Sequence, residues 1–163
     1  MQKQLTWQDV EKLIAEVSSK IREKSKKYDW IISINRGGLI PGVMLSHELG
    51  VSHGVITVTH ESGAGYPAID GVIKDLYISG VKLIKPHHSI LLFDDIARSG
   101  ICLSESVSTI RRLDSDAKNV DTGVLHLRKG SILKPTYFAE EIGESNCVVY
   151  PWEKKNARTR VSD

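Results

Sequence analysis

The chain has 163 residues and a mass of 18.1 kDa, one domain's worth of sequence and long enough to bury roughly two-thirds of its unfolded surface. A hydrophobic fraction of 40% and a charged fraction of 26% are those of an ordinary globular protein, and a net charge of +2 is too small to point to nucleic acid. No apolar run approaches the ~18 residues of a membrane-spanning helix, and Cys102 and Cys147 lack ligand-like spacing, so free thiols are expected instead of a disulfide or a metal site.

Met-Gln-Lys-Gln leads into an amphipathic helix instead of a signal peptide, so the cytoplasm is the expected location. Residues 6 to 27 read as that helix. Thr6 is a suitable N-cap with Asp9 three residues on, and Trp7, Val10, Leu13, Ile14, Val17 and Ile21 share one face. Lys12, Glu16, Lys20 and Glu23 occupy the opposite face and are expected in solvent. Trp30 to Ile34 follows as a buried strand, and after Asn35-Arg36-Gly37-Gly38 a helix opens near Pro41 and stops at Gly50. Two glycines behind an arginine at a strand's end suit backbone approach to a ligand beside a guanidinium; they suit a plain tight turn equally well.

Val55 to Thr59 is the third strand. The glycine-rich segment from His60 to Gly71 has the length of a functional lid. Its Gly63-Ala-Gly65-Tyr-Pro-Ala68 matches the dinucleotide-binding fingerprint as a string, but Pro67 and Ile-Asp-Gly do not open the helix that the fingerprint demands. Val72 to Ile78 and Val81 to Ile84 form a candidate hairpin about Gly80, and Pro86-His87-His88 reads as exposed loop.

The stretch from Ser89 to Cys102 carries the chemistry. Ile90 to Phe93 reads as a strand ending in Asp94 and Asp95, and a short loop through Ser99 and Gly100 leads into a helix of Ile101, Leu103, Val107, Ile110 and Leu113. Backbone N–H groups at residues 98 to 102, at the positive end of that helix, make a phosphate cradle to which Ser99 adds a hydroxyl and Gly100 close approach. The two acids would repel the same phosphate and need a hydroxyl-rich neighbour such as ribose. Together they point to a ribose phosphate; the plainer alternative is that the acids only cap the turn.

Val120 to Leu127 is the next strand, ending at Arg128-Lys129-Gly130. Lys134 to Phe138 and Cys147 to Tyr150 are shorter candidates, followed by Pro151-Trp152-Glu153 and a basic tail from Lys154 to Asp163. Strands alternating with helices predict an α/β fold, a single-domain doubly wound parallel sheet with its ligand at the carboxyl ends of the strands. Arg36-Gly37-Gly38, Asp94 to Gly100 and Lys129 would line that edge.

Phe93-Asp94-Asp95-Ile-Ala-Arg-Ser99-Gly100 resembles the phosphoribosyl pyrophosphate motif of type I phosphoribosyltransferases. Ser33-Ile-Asn-Arg36-Gly37-Gly38-Leu-Ile-Pro41-Gly42, continued by Leu45 and Glu48-Leu49-Gly50, is similar to the pyrophosphate loop and following helix of xanthine-guanine phosphoribosyltransferases, a subgroup that Pro151-Trp152-Glu153 also resembles. The likeness spans about residues 5 to 153. It implies the type I fold over residues 1–153, with His60 to Gly71 as a flexible lid, a small C-terminal hood, and residues 154–163 as a flexible tail.

The same resemblance implies roles. Asp94 and Asp95 would hold the ribose hydroxyls, and Ala97, Arg98, Ser99, Gly100 and Ile101 the 5-phosphate. Arg36, Gly37 and Gly38 would bind pyrophosphate, in many relatives through a cis peptide, and Lys129, or Arg128 in its place, and Trp152 would meet the base. Arg36, Asp94 and Asp95 would be the catalytic residues, with Mg2+ carried mainly by substrate oxygens. The implied activity is transfer of phosphoribose from phosphoribosyl pyrophosphate to a nucleobase, a 6-oxopurine for preference, in cytoplasmic nucleotide salvage by a homo-oligomer, dimer or tetramer, without nucleic-acid or membrane partners. The alternative is a non-catalytic module of the same fold that senses phosphoribosyl pyrophosphate or a nucleotide. Two positions depart from the 6-oxopurine pattern: Arg98 stands where an aspartate near the purine is usual, and Cys147 where an aromatic stacks. A guanidinium cannot act as a base; Arg98 faces either an anionic substrate or solvent.

Overall fold

The computed structural model describes residues 2–60, 73–79, 89–113 and 120–153. Six strands form the main sheet in the order β4 (Ile73–Ser79), β3 (Ser52–His60), β2 (Trp30–Asn35), β5 (Ile90–Ala97), β6 (Val120–Arg128), β7 (Tyr137–Ile142). Five are parallel, and β4 runs antiparallel to β3, from Val55 opposite Ser79 to His60 opposite Ile73. The parallel sheet expected from sequence is thus present in five strands, and Ile73–Ser79 adds one antiparallel strand at its edge by folding back on β3. A second, two-stranded parallel sheet joins β1 (Gln2–Gln4) to β8 (Cys147–Val149). The lid segment after His60, the second arm of the expected hairpin, Pro86-His87-His88 and the tail lie outside the described residues.

Helix α1 (Trp7–Glu23) starts where its residues dictate. Thr6 Oγ1 accepts from the Asp9 N–H at 3.2 Å while the Asp9 carboxylate accepts from the Thr6 N–H at 2.8 Å, a reciprocal cap worth about 1 kcal/mol. Val10, Leu13, Ile14, Val17 and Ile21 are buried. Lys20 leaves the solvated face assigned to it from sequence: its Nζ donates to the Phe138 and Ala139 carbonyls of edge strand β7, at 2.8 and 3.2 Å. Those edge carbonyls thus have a partner despite lacking a neighbouring strand.

Helix α2 (Leu39–Leu49) ends at Gly50, whose φ of +65° is the left-handed stop expected of a glycine. With α1 it covers one face of the sheet, where Leu45, Leu91, Phe93, Leu125, Tyr137 and Tyr150 are buried. Helix α3 (Ile101–Leu113) covers the other, placing Leu103, Val107 and Ile110 on Ile32, Ile90, Leu92 and Val124. Each such side chain contributes on the order of 2 kcal/mol by leaving water.

This arrangement fixes where a ligand can enter. From β2 the chain crosses through α2 to β3 on one side, and from β5 it crosses through α3 to β6 on the other. The two neighbouring strands therefore send their helices to opposite faces, and the sheet parts at their carboxyl ends. Pairing of β2 with β5 stops at Ser33 opposite Phe93, whereas β5 stays paired with β6 as far as Ala97 opposite Leu127. Among the described residues no helix is long and apolar enough to cross a membrane.

Candidate active site

Asp94 and Asp95 sit where β2 peels away, inside β5 and not beyond its end as the apolar run Ile90 to Phe93 suggests. The strand continues through them because its β6 side is still hydrogen-bonded. They border a cleft of about 270 Å³ lined also by Asn35, Gly37, Ala97 to Gly100, Cys102 and Glu153. The Asp94 carboxylate accepts from the Asp95 N–H at 2.9 Å. Burial pushes the Asp94 carboxyl well above the usual carboxylate range, and the neighbouring Asp95 charge pushes the same way. Asp95, only 7% exposed, is pushed up to about 6 by burial and by the Glu153 charge, against the pull of Arg98. A sugar diol could donate hydrogen bonds to such a pair.

The turn after the acids has the geometry of an anion cradle. Gly100 has a φ of +83°, a left-handed conformation that a Cβ resists, and a Cβ there would also lie 2.5 Å from Ser131 Oγ and 2.9 Å from the Leu133 N. Ser99 Oγ accepts from the Ile101 N–H at 3.4 Å, so the hydroxyl sits at the mouth of α3. Ala97, Arg98, Ser99 and Gly100 line the cleft, and Ile101 begins the helix behind them.

Across the cleft the Asn35–Arg36 peptide bond is cis. The two glycines that follow are required less by flexibility than by the acids opposite. A Cβ on Gly37 would overlap the Asp95 carboxylate, and one on Gly38 would lie 2.6 Å from the Phe93 carbonyl oxygen and 2.9 Å from the Asp94 Cα. The Arg36-Gly37-Gly38 turn is thus pressed directly onto the acid pair, with Gly37 in the cleft lining and the Arg36 side chain exposed beside it.

Neither of the two base-contact candidates lines the cleft of the acid pair. Lys129 is 66% exposed with its Nζ 4.0 Å from Glu141, outside both clefts, because β6 ends one residue earlier and the chain turns at Gly130. Trp152 stacks on Tyr150 with ring centroids 4.8 Å apart and meets Trp7 at 5.9 Å, so its ring is taken up in packing. Arg128, the residue before Lys129, lines a second cleft, of about 180 Å³, together with Ile96, Arg98, Glu144, Ser145, Asn146, Cys147 and Val148. Ile96 and Arg98 line both clefts, so the two adjoin.

Sequence reasoning did not single out Glu153 or Tyr150. The Tyr150 hydroxyl donates to the Asp95 carbonyl at 2.9 Å and lies 2.8 Å from Nδ1 of the fully buried His126. One hydroxyl has one proton, so His126 carries its hydrogen on Nδ1 and donates it to Tyr150. This chain ties the hood strand β8 to the backbone of the acid pair. A Tyr-Pro-Trp-Glu string gives no hint of it, because the partners are a backbone carbonyl in β5 and an imidazole in β6. Both cysteines are free thiols; that of Cys102, in the cleft wall, is pushed up by burial and by the Asp94 charge.

Among the described residues no group of three or more His, Cys, Asp and Glu side chains is arranged to hold a metal ion. Asp94, Asp95 and Glu153 are nevertheless all oxygen donors on one cleft, which fits a hard cation that takes one or two carboxylates and otherwise substrate oxygens and water.

The phosphoribosyl transferase domain model matches residues 1–160. Among solved structures, the chain is similar to a purine phosphoribosyltransferase from Pyrococcus horikoshii Ot3, at 29% identity over 93% of each chain and a TM-score of 0.75. It is also similar in fold to the Helicobacter pylori xanthine-guanine-hypoxanthine phosphoribosyltransferase (18% identity, 98% of this chain and 100% of that one, TM-score 0.76). A Giardia lamblia APRTase complexed with 9-deazaadenine shares the fold at 16% identity, over 84% of this chain and 81% of that one, with a TM-score of 0.68.

Proposed function

Because the chain belongs to the phosphoribosyl transferase family, whose domain model covers residues 1–160, we propose that it moves the 5-phosphoribosyl group from phosphoribosyl pyrophosphate to a 6-oxopurine base and releases pyrophosphate. The observation that carries this reading is the acid pair at the sheet's parting, with the anion cradle of residues 97–101 on one side of it and the Gly37 turn on the other. A sugar diol, a phosphate and a leaving pyrophosphate each find a partner there.

The chemistry follows from charge. Breaking the bond between ribose C1 and pyrophosphate leaves positive charge on the sugar and negative charge on the leaving group. Asp94 and Asp95 accept hydrogen bonds from the ribose hydroxyls and, ionised, lie on the side where the sugar becomes positive. The Arg36 guanidinium and the backbone N–H groups of Arg36 and Gly37 receive the pyrophosphate. Magnesium would be held mainly by substrate oxygens and water, with one or two of the cleft's carboxylates at most as the protein's donors, and would neutralise pyrophosphate charge when bound. The amides of residues 98–102 fix the 5-phosphate and so orient C1.

The test is release of pyrophosphate from phosphoribosyl pyrophosphate with magnesium and a purine base, against a no-base control, with binding followed in parallel by calorimetry. Base-dependent release is expected. Tight binding without release for any base would reduce the protein to a sensor of its substrate.

A further inference from the structure

The strand that carries the acid pair loses a neighbour just before it reaches them. Pairing of β2 with β5 stops at Ser33 opposite Phe93, and side chains take up the peptide groups of Asp95. Its N–H donates to the Asp94 carboxylate at 2.9 Å, and its carbonyl accepts from the Tyr150 hydroxyl at 2.9 Å. That carbonyl lies in one rigid plane with the Ile96 N–H, which favours the ionised form of the Asp95 carboxylate. A donor that fixes the carbonyl therefore also aims the N–H on the other side of the plane. The carboxylate so held is the one against which Gly37 packs with no room for a Cβ.

A phenolic hydroxyl rotates, and the single proton of Tyr150 has two buried atoms within reach: the Asp95 carbonyl oxygen and Nδ1 of His126, 2.8 Å away. The imidazole decides between them. With its hydrogen on Nδ1, His126 donates to the Tyr150 oxygen and leaves the hydroxyl proton only the carbonyl to meet. With the hydrogen on Nε2, it would donate towards Glu140, whose Oε2 lies 3.5 Å off, and the bare Nδ1 would draw the hydroxyl proton away from Asp95. Lys3 opposes that second arrangement. Its ammonium sits 3.0 Å from the same Glu140 oxygen and takes up the charge that would attract an imidazole proton. Nε2 accordingly has no hydrogen-bond partner among the described residues, and His126 and Tyr150 are both fully buried. Burial and the Lys3 charge keep the imidazole neutral against the pull of Glu140.

Resting on the phosphoribosyl transfer proposed above, we propose that His126 is a positioning residue of the site: its Nδ1–H turns the Tyr150 hydroxyl onto the Asp95 carbonyl and so sets the Asp95 carboxylate to receive the ribose hydroxyls. His126 lines neither cleft and takes no proton in the transfer. It acts only through Tyr150.

Substitutions at this one position separate the role from packing. Asparagine places an amide N–H where Nδ1 stands, glutamine places one where Nε2 stands, and leucine fills the space without a donor. His126→Leu and His126→Gln are expected to weaken calorimetric binding of phosphoribosyl pyrophosphate about tenfold and to raise its KM in proportion, whereas His126→Asn stays within about threefold of the parent. Tyr150→Phe should weaken binding at least as much as His126→Leu, and combining the two should add little. Equal affinity in all three position-126 variants, or affinities that follow Tm with leucine the best, overturns the positioning role and leaves phosphoribosyl transfer standing. Should those variants fail to fold, nitrogen NMR of the parent's histidines decides without any ligand: hydrogen on Nδ1 of His126 is expected, and hydrogen on Nε2 overturns the proposal. A parent protein that binds no phosphoribosyl pyrophosphate overturns the ribose-phosphate reading itself.

Discussion

At the scale of single residues, the acid pair is costly to the empty protein and useful to the filled one. Asp95 titrates at about 6 when folded, against an ordinary value near 3.9, so its ionised form opposes folding by roughly 2 to 3 kcal/mol at neutral pH. The sign follows: stability from this group is present at pH below about 4 and is lost as the pH rises through 6. His126, held neutral by burial, acts oppositely, so the informative quantity is a difference between variants. Asp94→Asn combined with Asp95→Asn should raise Tm relative to the parent protein by more at pH 7.5 than at pH 5, while abolishing phosphoribosyl pyrophosphate binding. In the parent, affinity for that ligand should fall as the pH drops through 6, because the acids must give up their protons to bind it, with proton release on binding visible as a buffer-dependent heat. Tyr150→Phe removes the one hydroxyl between the His126 Nδ1–H and the Asp95 carbonyl, leaving both buried and unpaired. A loss of about 1 to 3 kcal/mol is expected, read as a Tm several degrees lower.

At the scale of elements, the turn after β2 and the bend of β5 fit only each other. Gly37→Ala puts a methyl group into the Asp95 carboxylate, which must swing away. Phosphoribosyl pyrophosphate affinity should fall at least tenfold by calorimetry, whereas Tm should drop by only the few degrees of a modest overpacking. The elements also show what the amino-acid sequence makes legible. Helix α1 can be read directly, since Thr6, Asp9 and the 3.6-residue spacing of Val10, Leu13, Val17 and Ile21 are local signals. The Asp94 to Gly100 turn can be read for the same reason. Strand β1 cannot, because Gln2, Lys3 and Gln4 are all exposed and owe their extended form to β8, far along the chain. Lys20 reads as a solvent residue, and only the presence of a sheet edge beside it says otherwise. Whether Arg128 or Lys129 lines a cleft cannot be read from sequence, because a one-residue shift in where β6 ends reverses which side chain faces it.

At the scale of the whole molecule, the site is assembled from pieces far apart in sequence: the turn after β2, the carboxyl end of β5, the end of β6, and the β8 segment with Glu153. The hood is tied down at both ends of the described chain. Lys3 pairs with Glu140 at 3.0 Å, Leu5 N–H donates to the Val149 carbonyl at 2.9 Å, and Trp7 meets Trp152. Removing residues 1–4 should therefore loosen β8 without opening the main sheet. Hydrogen exchange is expected to quicken at the amides of residues 147–149 while those of β5 and β6 keep their protection, and the base should bind more weakly than phosphoribosyl pyrophosphate does. Unchanged exchange at 147–149 would show that β8 is held by Tyr150 alone.

The pairing of β1 with β8 also bears on how the protein is made. A strand of three residues at the start of the chain waits for a partner that leaves the ribosome long after the central strands have emerged, and closing so long a loop is entropically slow. During synthesis Asp94 and Asp95 can already stand in their strand, but the carbonyl of Asp95 has no hydroxyl to receive and the cleft has no Glu153 wall. A nascent chain can thus hold most of its core and still have no finished site. Competence to bind arrives only once Tyr150 and Glu153 are in place.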